Sequence, residues 1–146
     1  MKIACLGGGP AGLYFAVSMK LRDPSHEIAV FERNKPDDTF GWGVVLSDET
    51  LDNLAQNDAV SAAEIRKHFA YWDDIAVEFR GTRTLSSGHG FCGIGRKTLL
   101  ILLQERAREL GVDLRFESEV EDAASTARVN DLVVACDGLN SRTRNQ

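Results

Sequence analysis

The sequence has few cysteines and no paired-cysteine motif. The chain contains three cysteines, Cys5, Cys92 and Cys136, which lie far apart and form no CxxC pattern. An odd number of widely spaced cysteines, without paired histidines, argues against a disulfide framework and against a metal site. We therefore expect reduced thiols, a cytoplasmic location and no bound metal.

An excess of basic residues and long apolar runs are also absent. The formal net charge is −5, from 17 Lys and Arg against 22 Asp and Glu, which argues against a nucleic-acid partner. No stretch approaches the roughly 20 apolar residues of a membrane-spanning helix. Lys2 precedes apolar residues as in a signal peptide, but glycines and a proline interrupt that run, so we expect structure there rather than a targeting segment. Composition and length suit about one soluble domain with no membrane partner.

The most informative stretch is the N-terminus, where an apolar run leads into a glycine-rich turn. Residues 2–6 predict a short buried strand, and Gly7, Gly9 and Gly12 then fit the GxGxxG spacing. The segment from Pro10 to about Arg22 predicts a helix, since proline is tolerated in a first helical turn. In such a turn the glycines allow a sharp bend, a close approach to a pyrophosphate and close packing of helix on strand. The helix N-terminus would offer free N–H groups to the anion.

An acid at the end of the next strand supports this interpretation. Residues 27–31 predict a second strand, and Glu32 follows it, twenty positions after Gly12. A carboxylate there is placed to accept hydrogen bonds from an adenosine ribose. Together these segments have the length of one βαβ unit. The alternative is a tight strand-to-helix turn that binds nothing.

Two further glycine-rich segments lie in the middle of the chain. Residues 40–46 place two glycines beside Trp42, either to lie flat against a planar ligand or as a buried turn whose Trp42 fills core space. Residues 88–95 contain four glycines, which indicate a strand with a close neighbour, either a ligand or another backbone. Arg96 follows at a predicted helix start, where an arginine gains nothing from the helix dipole and is better explained by a nearby anion. His89 is a candidate for contact with a substrate.

The other elements follow from periodicity and capping patterns. Ser47 or Asp48 predicts a helix start, and Ser61 with Glu64 forms a capping-box pattern that predicts another. Alternation over 75–79 predicts a strand, with a hairpin turn at residues 81–82 into a strand over 83–87. A leucine-patterned helix after Arg96 should stop at Gly111. Residues 112–116 and 131–136 predict strands, and the polar residues 122–130 predict a loop.

Motifs at both ends of the chain resemble one family. The N-terminal GGGPAG with Glu32 and Arg33 resembles the FAD fingerprint of flavoprotein aromatic hydroxylases, the group typified by para-hydroxybenzoate hydroxylase. The segment Asp137-Gly138-Leu139-Asn140-Ser141-Arg142 resembles that family's DGxxSxxR signature, whose last position falls on Arg144. Gly95-Arg96 before the leucine-patterned helix is similar to the family's Arg or Gln that reaches the FAD. Residues 40–47 and 88–96 resemble the branch of salicylyl-CoA 5-hydroxylase and anthraniloyl-CoA monooxygenase. The Gly-Trp-Gly-Val-Val run also resembles the violacein-pathway hydroxylase.

The resemblance implies an α/β fold: a Rossmann-like, GR2-type FAD-binding parallel sheet with inserted helices and a β-hairpin. It implies that the glycine loop, Arg33 and Arg96 meet the pyrophosphate, Glu32 the ribose, residues 41–45 the isoalloxazine ring and the Val120 backbone the adenine. In this family the Asp-Gly pair serves FAD binding and the response to the nicotinamide cofactor. The implied cofactor-binding residues are Gly7, Gly8, Gly9, Pro10, Ala11, Gly12, Glu32, Arg33, Gly41, Trp42, Gly43, Val44, Arg96, Val120, Asp137 and Gly138.

The resemblance further implies FAD as cofactor, NADH or NADPH as co-substrate, and oxygen transfer from O2 to a small aromatic substrate, an aryl-CoA thioester in this branch. The family's downstream GD motif and most of its substrate-binding region do not occur in these residues. We therefore expect residues 1–146 to be the N-terminal part of an FAD-binding monooxygenase domain that lacks turnover by itself. The residues suggest no catalytic acid or base. A dehydrogenase using NAD and an inactive nucleotide-binding fragment are the alternatives.

Overall fold

The chain is divided between two units in the computed structural model, which describes residues 1–36 and 38–145 apart from the side chain of Asp48. The terminal unit combines residues 1–40 with 99–146, and the central unit comprises residues 41–98. In chain order the elements are β1 (Lys2–Leu6), α1 (Pro10–Arg22), β2 (Glu27–Phe31), β3 (Gly43–Leu46), α2 (Asp48–Asn57), α3 (Ala59–Arg66), β4 (Ala70–Trp72), β5 (Ile75–Phe79), β6 (Thr82–Ser86), β7 (Phe91–Gly95), α4 (Arg96–Glu109), β8 (Asp113–Arg115), α5 (Ala123–Ala127), β9 (Leu132–Ala135) and a 3-10 helix (Thr143–Asn145).

The terminal unit is built on a four-stranded parallel sheet in the order β8-β2-β1-β9. β1 pairs along its length with β2, from Lys2 opposite Glu27 to Leu6 opposite Phe31, and on its other edge with β9. Four of its five residues are buried, as expected for a strand covered on both faces. In open parallel sheets, ligands bind at the carboxyl ends of strands where the strand order reverses. Here that point is the end of β1, between β2 and β9.

The core of the terminal unit comes from the strands and from one face of each long helix. Ile3, Leu13 and Val17 are completely inaccessible to solvent. In α4 the buried residues follow helical spacing. They are Leu99, Leu100, Leu103, Gln104 and Ala107. Gly111, with φ of +78°, ends this helical segment, as predicted.

The central unit contains two separate antiparallel sheets and two short helices. β7 pairs with β3 and β4, so the glycine-rich strand lies in the middle of a three-stranded sheet. β5 and β6 form a two-stranded hairpin from Ile75 opposite Ser86 to Phe79 opposite Thr82. Arg80 and Gly81 both have positive φ at its turn. Among the described residues no helix combines the length and apolar character needed to cross a bilayer.

The predicted strands and the helices after Gly9, Ser47 and Gly95 are confirmed, whereas two local predictions are wrong. Ser61 does not cap α3; it lies inside that helix, and its hydroxyl donates to Oδ2 of Asp58, the actual N-cap, over 2.6 Å. The predicted loop over 122–130 contains α5, because Asp122 accepts hydrogen bonds from the N–H groups of Ala124 and Ser125. In both cases an aspartate one residue before the helix provides the cap.

Candidate functional site

The turn between β1 and α1 requires glycine at two positions for reasons of packing. Gly7 has φ of +116°, and its N–H donates to the Phe31 carbonyl over 2.8 Å. A Cβ at Gly7 would lie 2.3 Å from the Cys136 carbonyl oxygen, and one at Gly12 would lie 2.1 Å from the Gly7 carbonyl oxygen. Side chains at these positions would therefore separate β1, β9 and α1.

Gly9 differs from these two glycines because its surroundings are open. A Cβ at Gly9 would meet no heavy atom within 4 Å, and its φ of −73° is available to any residue. Gly9 is the N-cap of α1, Pro10 occupies the first turn, and no side chain of the described residues caps this helix end. The first N–H groups of a helix have no partner within it. The turn thus presents polar N–H groups and an uncrowded face, which suit an anion.

Glu32 faces this turn. Its Oε2 accepts the Gly8 N–H over 2.8 Å, and its Oε1 accepts the backbone N–H and the side-chain Nδ2 of Asn34 over 2.8 and 2.7 Å. A Cβ at Gly8 would lie 2.8 Å from the Glu32 Cβ, so the acid packs directly over the glycine loop. The sequence indicated Glu32 but not Asn34. The pattern that could have indicated Asn34 is an amide side chain two residues after the acid that follows a strand.

The Asp137 segment meets the start of α1. A cleft of about 450 Å³ is lined by Ala11, Ala135, Cys136, Asp137, Gly138, Ser141, Thr143 and Arg144. Oδ2 of Asp137 accepts from the N–H and hydroxyl of Thr143 over 3.1 and 3.0 Å. Partial burial by itself raises the pKa of Asp137, but hydrogen bonds from Ser141 and Thr143 outweigh it and lower the pKa below the usual carboxyl value. The carboxylate is therefore ionised at neutral pH. The cleft is thus lined mainly by the C-terminal motif, together with Ala11 of the N-terminal motif.

Arg33 lies beside a different acid. Its Nη1 is 3.8 Å from Oε1 of Glu119, and Arg142 reaches the same oxygen over 2.8 Å. Val120 is half-buried and follows the segment that hydrogen-bonds to the loop after β2, where the Ser118 N–H donates to the Glu32 carbonyl over 2.9 Å. Thus Val120 and Arg33 lie on the chain segments next to Glu32.

In the central unit the Trp42 segment and Arg96 are joined. The Arg96 N–H donates to the Trp42 carbonyl over 3.1 Å, and β3 pairs Gly43 with Gly95 and Val44 with Ile94. A Cβ at Gly41, whose φ is +106°, would lie 3.5 Å from the Arg96 Cδ. Nε of Arg96 is buried and has no hydrogen-bond partner among the described residues. The side chain of Trp42 is 97% exposed, so the interpretation that it fills core space is wrong.

His89 is an exposed residue of the same unit and forms an aromatic row with Phe91 and Trp72. Its Nε2 is 2.7 Å from the Ser86 hydroxyl, and its ring stacks on Phe91 at a centroid distance of 5.4 Å. The ring of Trp72 also lies near Phe91, at a centroid distance of 6.0 Å. The described residues contain no group of three His, Cys, Asp or Glu side chains arranged to hold a metal ion.

Comparison with known proteins gives an independent finding. No protein-family model matches the chain. The chain is 54% identical over 144 residues to the salicyloyl-CoA 5-hydroxylase of a Streptomyces species, covering 99% of this chain and 28% of that protein. The chain is homologous to monooxygenases. It is 35% identical to the 3-hydroxy-4-methyl-anthranilyl-[aryl-carrier protein] 5-monooxygenase of Streptosporangium sibiricum, covering 99% of this chain and 40% of that protein.

One further relative and one solved structure are also similar to the chain. The protodeoxyviolaceinate monooxygenase of Chromobacterium violaceum is 32% identical, over 98% of this chain and 39% of that protein. The crystal structure of CtdE in complex with FAD superimposes with a TM-score of 0.76 at 24% identity, over 99% of this chain and 40% of that one. The fold is thus the one expected, a Rossmann-like α/β fold. The chain spans about a third of the length of the relatives it matches.

Proposed function

We propose that this chain binds FAD where β1 meets α1 and forms the N-terminal part of the FAD-binding domain of a monooxygenase. The substrate class that we propose is an aromatic acyl thioester, with NADH or NADPH as co-substrate. The observation that carries the proposal is the open face at Gly9, which contrasts with the tightly packed Gly7 and Gly12. Packing explains two glycines of the motif, and the close approach of a pyrophosphate to the backbone would explain the third, where packing leaves room for a side chain.

The residues present fit the adenosine diphosphate half of FAD. The turn and the first N–H groups of α1 would bind the pyrophosphate, and Glu32 would bind the ribose. Arg33 would help to bind the pyrophosphate, and the Val120 backbone would border the adenine. Asp137 and Gly138 line the cleft together with Ala11, and there they would border the cofactor.

The residues of the central unit would contact the flavin half. We propose that residues 41–45 lie along the isoalloxazine ring and that Arg96 binds a phosphate. The buried, unpartnered Nε of Arg96 supports this assignment, because a buried donor without a partner has a free-energy cost of about 1–3 kcal/mol that a bound anion would remove. His89 and the aromatic row beside it are candidates for contact with the substrate.

Bound FAD would supply the redox chemistry, accepting electrons from the nicotinamide and activating O2 for transfer of one oxygen atom to the aromatic ring. The residues of this chain would bind and orient the cofactor. We propose thioester substrates because the relative at 54% identity is named for a CoA-linked substrate and the relative at 35% identity for a substrate linked to a carrier protein. The violacein-pathway relative is less similar, at 32%, so its substrate class is the weaker alternative. We further propose a cytoplasmic location and neither a nucleic-acid nor a membrane partner.

The test is an FAD titration of the purified chain, followed by quenching of flavin fluorescence, with wild type compared with Gly9→Val. The added side chain has open space in the protein alone, but valine caps a helix less well than glycine, so urea denaturation should show a loss of no more than about 1 kcal/mol. It would occupy the path of the pyrophosphate, so the FAD dissociation constant should rise at least about tenfold, which is about 1.4 kcal/mol. A wild-type chain that does not bind FAD would refute the proposed function. Unchanged FAD affinity in Gly9→Val would refute the position of the pyrophosphate.

A further inference from the structure

We propose that Asn34 is a positioning residue that fixes the Glu32 carboxylate and leaves one of its acceptor sites for a single ribose hydroxyl. This inference rests on the proposed function, because it concerns how the same site recognises an adenosine. It adds a residue that neither the glycine motif nor the strand-terminal acid indicates.

Three donors from the described residues hydrogen-bond to the Glu32 carboxylate. A carboxylate has about four acceptor sites, two on each oxygen. Oε1 accepts two hydrogen bonds from Asn34, one from the backbone N–H over 2.8 Å and one from Nδ2 over 2.7 Å. Oε2 accepts one from Gly8 over 2.8 Å. With these donors from the described residues in place, one acceptor site remains, and it lies on Oε2, the oxygen that faces the glycine loop.

The backbone around Asn34 is itself held in place. The Glu32 N–H donates to the Arg115 carbonyl over 2.8 Å, and the Ser118 N–H donates to the Glu32 carbonyl over 2.9 Å. The Asn34 carbonyl accepts the Glu117 N–H over 3.2 Å. These bonds tie the loop after β2 to the segment after β8. The Asn34 side chain is thus presented to Oε1 from a fixed backbone, and it is half-buried.

Fixing the carboxylate determines which ligand it accepts. A free glutamate rotates about its terminal bond and presents either oxygen, whereas a carboxylate held on both oxygens presents only its remaining acceptor site. A hydroxyl can donate to that site. A phosphate on the same ribose position cannot donate when ionised, and it would be repelled by the carboxylate. The arrangement therefore selects an unphosphorylated adenosine ribose, read through one hydroxyl.

The test is a double-mutant cycle on the 146-residue chain, with FAD and ADP as probes measured by titration calorimetry. Asn34→Ala should raise the dissociation constant of both probes about tenfold, because a charge-assisted hydrogen bond to the ribose-binding carboxylate is lost. In a Glu32→Ala background the same substitution should change the constant less than about twofold, since the carboxylate it positions is gone. Asn53→Ala, an exposed asparagine of α2, is the matched control and should change nothing.

The outcomes separate this inference from the proposed function. If Glu32→Ala leaves FAD affinity unchanged, the proposed ribose site is wrong. If Glu32→Ala weakens binding but Asn34→Ala does not, Asn34 has no positioning role. Equal losses in both backgrounds would show a purely structural role and overturn the inference. Asn34→Asp, which keeps the size but replaces the donor by an acceptor, should weaken binding at least as much as alanine, and it decides the question if the alanine variant does not fold.

Discussion

A methyl group at Gly12 provides the sharpest test of how the terminal unit is packed. In Gly12→Ala the new Cβ would lie 2.1 Å from the Gly7 carbonyl oxygen and 3.2 Å from the Cys136 Cβ. Real Cβ atoms almost never approach within 3.0 Å, so the helix and the turn must separate by about 0.9 Å to relieve the first contact alone. The nearest atom belongs to the backbone and cannot rotate away.

The magnitude follows from two opposing effects. Overpacking in a well-packed core costs about 1–3 kcal/mol, and we expect the upper end because backbone opposes the new group. Replacing glycine by alanine within a helix returns about 1 kcal/mol of helix propensity. The expected net loss is therefore about 2 kcal/mol of unfolding free energy. For a chain of this size that corresponds to a fall in Tm of about 4–8 °C.

The assay is urea denaturation followed by far-UV circular dichroism, with Gly9→Ala as the matched control. Gly9→Ala adds the same methyl group three residues earlier, into space with no atom within 4 Å. We expect it to cost no more than about 1 kcal/mol, because Gly9 is the N-cap of α1 and alanine caps a helix less well than glycine. A Gly12→Ala variant as stable as Gly9→Ala would show that α1 and the turn are not packed as described.

Two further predictions concern buried groups. Burial, with a smaller contribution from nearby Cys136, raises the pKa of the Cys5 thiol to about 12, so the unfolded chain ionises first. The free energy of unfolding should therefore fall as the pH rises from about 9 to about 12, by up to about 1.4 kcal/mol per pH unit. The measurement compares urea midpoints at pH 8 and pH 10.5, and the part of the loss that is due to Cys5 should be absent in Cys5→Ala. An equal alkaline loss in both proteins would contradict the assigned burial. Asp58→Ala removes the buried N-cap of α3, which accepts hydrogen bonds from Val60 and Ser61, so it should lower the free energy of unfolding by about 1–3 kcal/mol in the same assay. Ser47→Ala, at the exposed N-cap of α2, should lower it by about 0.5 kcal/mol. Equal losses in Asp58→Ala and Ser47→Ala would show that burial does not make the Asp58 cap more stabilising.

The sequence predicted the elements whose signals are local. The apolar run of β1, the glycine spacing, the proline at the start of α1 and the acid after β2 lie within 32 residues, and the structure forms each element where it was predicted. Periodicity likewise identified α4 and the strands of the hairpin. These signals depend on backbone geometry and on side chains a few positions apart, which the order of residues specifies directly.

Capping was harder to predict, because several residues in a short window can do it. Ser61 fits a capping box, but Asp58 accepts from Val60 and Ser61 and begins the helix earlier. The sequence also left two interpretations of Trp42, and the exposed position of its side chain decides against a core role.

The arrangement of the candidate site was decided only by the tertiary structure. Gly7 must be glycine because the Cys136 carbonyl, 129 residues later, lies against it. The same pairing of β9 with β1 brings Asp137 and Gly138 to the start of α1, and within the GxGxxG motif it leaves Gly9 with an open face. The sequence by itself determined a glycine turn and a strand-terminal acid. Which glycine serves packing and which one faces open space depend on contacts with segments that are distant in the sequence, and no local pattern encodes those contacts.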